Sequence, residues 1–321
     1  MGGSRPSSFL FTQVGPLRLY STSELLNLPA PQWLIDQIVT ENGLVGVFGA
    51  PEVGKSFLAI DVALCVATGL PWQGHPVHKG FVLYISAEGG SGIGKRVLAW
   101  LLEHQMDPRE ADVAWLIESI PVTADSESME ILMNRIADEV QRHPVLVIID
   151  TLARCFDGNE NEQEDMGRFV AGADRLRQTF GATVMVVHHT NVGGTRERGN
   201  TAFRGAVDTM IRVDKVDGVM TVTCEKQKDA AHFPEHQVEL VVVAAAESCV
   251  VQAAGTAEAS VEQILLAILG DGLTWSQWHD SAIEVGTVAD TVGFQKGFGT
   301  LRYRKQVVKE GEVWRRAGTT P

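Results

Sequence analysis

The sequence is poor in the residues that build disulfide scaffolds, membrane spans and nucleic-acid coats. Its 321 residues include four cysteines, Cys65, Cys155, Cys224 and Cys249, far apart and with no Cys-x-x-Cys pair. That spacing argues against a disulfide framework or a cysteine zinc site and points to a reducing, cytoplasmic setting. No apolar run reaches the ~18 residues of a membrane span, so no membrane partner is expected. The opening stretch MGGSRPSSF has one Arg and no long apolar run behind it, so it does not read as a signal peptide. Positive charge is also scarce: 27 Lys and Arg against 40 Asp and Glu leave a net charge of −13. A protein that coats nucleic acid is basic, so that class is disfavoured, although net charge does not say where charges sit. Internal repeats and low-complexity segments are absent.

What remains has an ordinary globular balance, 45% apolar and 21% charged, and enough length for one large domain and a small one. Residues 1–30 are rich in Ser and Pro and read as an arm leading to a helix over about 31–39. From residue 44 short apolar runs alternate with helical spacing. The strand-like runs are LVGVFG (44–49), FVLYIS (81–86), VAWLIES (113–119), VLVIID (145–150) and TVMVVHH (183–189). The helical stretches are 55–68, 94–105, 127–142 and 165–180. Continuous apolar strands separated by helices predict an α/β fold with a mainly parallel sheet buried on both faces. After 205 the runs 207–213, 219–225, 238–244 and 249–253 read as antiparallel strands extending one sheet edge. The small-residue stretch 253–260 reads as a linker between a domain over 31–252 and a second one over 261–321. In the second domain, helices at 261–269 and 274–283 precede a helix, a turn at Glu310-Gly311 and a strand, the order of a winged helix.

The strand LVGVFG runs into Gly49-Ala50-Pro51-Glu52-Val53-Gly54-Lys55-Ser56, followed by Phe57 and a helix. This fits G-x-x-x-x-G-K-[ST] in its required strand–loop–helix context. The glycines let backbone amides turn toward phosphate oxygens, and the helix N-terminus adds partial positive charge. Lys55 then neutralises the β- and γ-phosphates of ATP, and the Ser56 hydroxyl binds Mg²⁺. The buried strand ending at Asp150 suits the second Mg²⁺ ligand. The plainer reading of Asp150 is a turn residue or helix N-cap. Glu88 follows the strand FVLYIS beside two glycines, where a carboxylate can activate the water that attacks the γ-phosphate. As a bare pattern it is equally a solvated turn acid.

Taken in order, Gly49–Ser56, YISAEGG (84–90), VLVIIDTLAR (145–154), TVMVVHHTN (183–191) and RGNTAFRGAVD (198–208) resemble the RecA-like P-loop ATPases of the RepA-type hexameric replicative helicases of plasmids and phages. The resemblance covers about residues 25–250. It implies that Glu88 is the catalytic base and that His188 and His189 sense the γ-phosphate and signal to the loop beyond. Without it, two adjacent histidines at a strand end read as polar caps or a metal site, and no third ligand at useful spacing supports metal. It implies further that Arg204 is an arginine finger on a neighbouring subunit's ATP, which requires an oligomer, with a hexameric ring expected. The alternative for Arg204 is a surface arginine. Lys226 and Lys228 correspond to a basic pair reaching the same phosphate across the interface. The relatives have Lys-x-Arg there, and lysine at the second place lacks the planar bidentate fork.

Ring helicases of this kind contact single-stranded DNA through channel loops. The loop 156–165 carries five acids and would repel phosphate. The loop 191–205 carries Arg196, Arg198 and Arg204 among small residues and suits backbone tracking, or is simply a mobile loop. Residues 294–321 hold seven basic and two acidic residues, a balance that fits DNA contact or protein docking. The resulting expectation is an ATP-dependent ring-forming DNA helicase or translocase in replication of a plasmid, phage or mobile element, served by initiation or loader proteins. The alternatives are a recombination mediator on the same fold and an ATP-switched, origin-binding initiator that does not unwind.

Overall fold

The computed structural model describes residues 19–87, 90, 92–140, 142–190, 201–255, 265, 266, 268–270, 272–285, 291–303 and 307–316. The chain divides into two compact units, Met1–Ala254 and Gly255–Pro321.

The first unit is built on a nine-stranded sheet. Its parallel strands are β3 (Leu44–Gly49), β4 (Val82–Ser86), β5 (Val113–Leu116), β6 (Leu146–Asp150) and β7 (Thr183–His189). They are joined by β8 (Thr209–Val216), β9 (Val219–Gln227), β10 (His236–Val243) and β11 (Ser248–Ala253), in the order β11-β10-β9-β8-β3-β7-β6-β4-β5. Every residue of β3, β4 and β6 is buried. The period-2 alternation sends Val45 and Val47, Val82 and Tyr84, Leu146 and Ile148 into one core. Leu44 and Phe48, Leu83 and Ile85, Val147 and Ile149 enter a second core on the opposite face. This is the two-sided burial that continuous apolar strands require. Helices α2 (Lys55–Thr68) and α3 (Ile93–Glu103) contribute to the first core, and α4 (Glu127–Arg135) and α5 (Gln163–Phe180) to the second. On α5 the apolar residues Met166, Phe169, Ala173, Leu176 and Phe180 recur at helical spacing, and Gly181 ends the helix at φ 66°.

The sequence expectation for the α/β class and the mainly parallel sheet holds, with four local differences. Residues 31–39 form no helix; α1 lies earlier, at Thr22–Leu26. Instead β1 (Trp33–Ile35) and β2 (Val39–Thr40) make an antiparallel hairpin. Gln37 at φ 60° reverses the chain, and Leu34, Ile35, Ile38 and Val39 all reach the core without helical turns. The first of the late strands, β8, lies parallel to β3 and only then antiparallel to β9. The helix expected to reach 142 gives way to a π turn at Ile136–Val140. A short helix, α6 (Ala202–Ala206), precedes β8. All four cysteines are free, and among the described residues no helix is long and apolar enough to cross a membrane.

In the second unit β12 (Leu273–Thr274) leads into α7 (Trp275–Glu284), then α8 (Thr291–Tyr303), then the hairpin β13 (Val307–Glu310) and β14 (Val313–Arg316). The sheet order is β12-β14-β13, all antiparallel. Thr274 and Gln277 form a capping box at the start of α7. Leu265, Leu269, Trp278, Phe294, Leu301 and Val307 form a core of their own, and the Trp278 Nε1–H donates to the Leu265 carbonyl at 2.7 Å.

Candidate nucleotide-binding site

Strand β3 ends at Gly49, and residues 50–54 turn directly into α2 at Lys55. Two glycines are needed for reasons the structure makes specific. A Cβ on Gly49 would lie 2.3 Å from the Val213 carbonyl oxygen, so β8 could not pass so close. Gly54 has φ 107°, and a Cβ there would lie 2.3 Å from the Met220 sulfur beneath the loop. Of the residues between, Glu52 adopts φ 64° and is exposed, as are Ala50 and Pro51, and Val53 packs against the first core. No side chain caps the first turn of α2, so its amides face the loop, the arrangement that receives an anion.

Lys55 is 5% exposed. Its Nζ donates to the carbonyls of Gly49 at 2.9 Å and Ala50 at 2.7 Å, and lies 3.3 Å from His189 Nδ1 at the end of β7. An ammonium has only donors, so that last contact is a hydrogen bond when the imidazole accepts at Nδ1. The Ser56 hydroxyl donates to Asp150 Oδ1 at 3.1 Å. The Tyr84 phenol donates to Asp150 Oδ2 at 2.7 Å. Burial, and then the Asp150 charge, push the Tyr84 phenol well above its ordinary pKa, so it remains a donor. The hydroxyl and carboxylate brought together by Ser56 and Asp150 are the hard oxygen donors that Mg²⁺ takes, so the residues fit the ion. Phe57 faces away into the first core, with the Arg96 guanidinium 4.6 Å over its ring. His188 is buried, and its ring meets Phe203 of α6 edge-on, centroids 6.1 Å apart.

Arg204, on the same α6, donates to Glu225 Oε2 at 2.8 Å. Lys226 Nζ donates to the carbonyls of Arg204, Gly205 and Val207 at 2.9, 3.2 and 2.5 Å. Burial lowers its pKa, with Lys228 and Arg204 adding to that and Asp208 opposing it. Lys228 Nζ lies 3.3 Å from Asp208 Oδ1, whose other oxygen accepts from the Leu44 amide at 2.9 Å. Both lysines therefore have partners within their own chain. Glu88, Arg196 and Arg198 lie outside the described residues. Tyr84 and Glu225 escaped the sequence reading because their partners are 66 and 21 residues away. The run YISAEGG held the tyrosine in view without marking what it would touch.

The solved crystal structure of the RadB recombinase is similar at 14% identity and a TM-score of 0.47, covering 65% of this chain and 90% of that one. No curated protein matches the chain. A model of the AAA domain, AAA_25, matches residues 20–195, which span β1 to β7 and so contain Lys55, Ser56, Asp150 and His189. The chain belongs to this AAA domain family.

Proposed function

We propose that the protein is a RecA-like ATP-hydrolysing motor that assembles into a homo-oligomeric ring, a hexamer, and acts on single-stranded DNA as a replicative helicase or translocase. One observation carries the reading. Lys55 and Ser56, at the start of the helix after β3, meet Asp150 and His189 at the ends of two neighbouring parallel strands, β6 and β7, and they converge on one loop. ATP bound there places its phosphates on the loop amides and Lys55, in place of the Gly49 and Ala50 carbonyls that Lys55 now holds. Ser56 and Asp150 would hold Mg²⁺, which neutralises phosphate charge. Tyr84 keeps Asp150 oriented. Glu88 is the proposed base for the attacking water. His189 contacts the lysine at the phosphate site, while His188 contacts Phe203, the residue before Arg204. The pair thus supports the proposed sensing route from γ-phosphate to α6.

Arg204 is proposed to act on a neighbouring subunit's ATP, supplying charge the transition state lacks in its own site. Lys226 and Lys228 remain proposed for the same interface, though reaching it would require each to leave its present partners. Arg196 and Arg198 are proposed to meet DNA phosphates. The strand–helix–helix–hairpin order of the second unit supports a winged helix, whose Arg302, Lys309 and Arg315 are further candidates for DNA.

ATP turnover with and without single-stranded DNA tests the proposal. Stimulation by DNA and unwinding of a forked duplex are expected, and Lys55→Ala and Glu88→Gln should each abolish turnover. Hydrolysis indifferent to DNA sinks the helicase reading. Strand exchange without unwinding selects the recombination mediator, and slow hydrolysis with sequence-specific duplex binding selects the initiator.

A further inference from the structure

The geometry points to Glu225 as a resting partner that holds the Arg204 side chain within its own subunit, with Arg212 as the residue that lets it go. We rest this inference on the proposed action of Arg204 across a subunit interface. Three observations support it. Adjacent residues of β9 hold α6 in different ways: Glu225 takes the Arg204 guanidinium at 2.8 Å, and Lys226 takes three backbone carbonyls around it. The helix backbone is therefore fixed separately from the side chain, which the Glu225 carboxylate holds. That contact is partly exposed, with Arg204 at 32% and Glu225 at 24%. Ion pairs in such settings contribute only ~0.2–1 kcal/mol, so a triphosphate, with more charge and three acceptor oxygens, displaces the carboxylate.

The third observation is what happens to Glu225 once Arg204 leaves. Arg212 Nη1 lies 3.6 Å from Glu225 Oε1, while Arg212 Nε is 2.7 Å from Asp214 Oδ2. The departure of Arg204 leaves Glu225 still facing a guanidinium, so no half-buried carboxylate is stranded. The chain Arg204–Glu225–Arg212–Asp214 makes release of the finger from Glu225 reversible. Glu225 and Arg212 are thus positioning residues for Arg204, with opposite effects on its availability.

The test is ATP turnover of the full chain with single-stranded DNA, alongside equilibrium ATP binding and melting temperature. Glu225→Gln is expected to raise turnover about 1.4- to fivefold, the factor that ~0.2–1 kcal/mol allows. ATP affinity should stay unchanged, and the rise should vanish in an Arg204→Ala background. Arg212→Gln is expected to lower turnover by a similar factor, and it serves as the second arm if Glu225→Gln does not fold. Purely structural roles would move both variants the same way. Unchanged or lower turnover in Glu225→Gln, with Arg204→Ala inactive, overturns the resting-partner role alone. Wild-type turnover in Arg204→Ala overturns the cross-subunit reading beneath it.

Discussion

Asp61 lies on α2, six residues beyond Lys55, and is 3% exposed. Burial pushes its carboxyl up to about 7, against the pull of hydrogen bonds such as that from the Trp100 indole at 2.8 Å. A folded-state pKa raised from 3.8 means the native protein prefers the protonated acid. The stability this gives is complete below pH 4 and is lost as pH rises through about 7. Thermal melting should therefore drop between about pH 4 and 7 and level off above. Asp61→Asn should flatten that dependence and melt higher than wild type above pH 7, by about 2–4 kcal/mol in stability. A wild-type profile that is flat across this range contradicts the assignment. Tyr84→Phe tests a second buried carboxylate. It deletes one donor to Asp150 and should cost about 1.5–3 kcal/mol of stability, read by denaturant titration, and weaken Mg²⁺-dependent ATP binding. At this scale the sequence revealed what local order determines. The placement of Lys55 and Ser56 was legible because a strand, a loop and a helix are written contiguously around them, and that of Asp150 because an apolar strand ends at it. The intrachain contacts of Lys226 were not, because they are decided by where α6 ends, and no residue near it in sequence records that three carbonyls will converge there.

The elements were legible where one face or both are simply apolar. Helix α2 and strands β3, β6 and β7 fall within a residue of the runs that foretold them. The segment 31–39 misled because Leu34, Ile35 and Ile38 satisfy helical spacing as well as they satisfy a tight hairpin, and only the positive φ at Gln37 decides between the two. The parallel entry of β8 was hidden for another reason: strand direction depends on a crossover, which apolar alternation does not encode. The phosphate loop offers a prediction that belongs to elements. Gly54→Ala adds a methyl where φ is 107° and where Met220 leaves 2.3 Å. Nucleotide binding should fall by at least tenfold while far-ultraviolet circular dichroism stays unchanged. Adding Met220→Ala removes the clash but not the backbone strain, so recovery should be partial. Full recovery in the double variant would show that the left-handed conformation is dispensable.

For the whole molecule, each unit has its own buried core, two in Met1–Ala254 and one in Gly255–Pro321. A chain ending at Ala254 should therefore unfold cooperatively and bind ATP within about threefold of the full protein, measured by calorimetry. Its loss of DNA stimulation would assign the DNA contact to the second unit, and its retention would assign it to the first. Across the first unit one strand has an unusual pair of neighbours. Met220, near the start of β9, sits under Gly54 of the phosphate loop, while Glu225 and Lys226, near its end, hold the helix of Arg204. About five residues, some 17 Å of extended backbone, separate the two ends. A hydrogen-bonded strand flanked on both sides barely stretches, so the spacing between Gly54 and the helix of Arg204 is fixed. In the proposed ring, that fixed spacing would tie the phosphate loop of one subunit to the side chain proposed to act on the next.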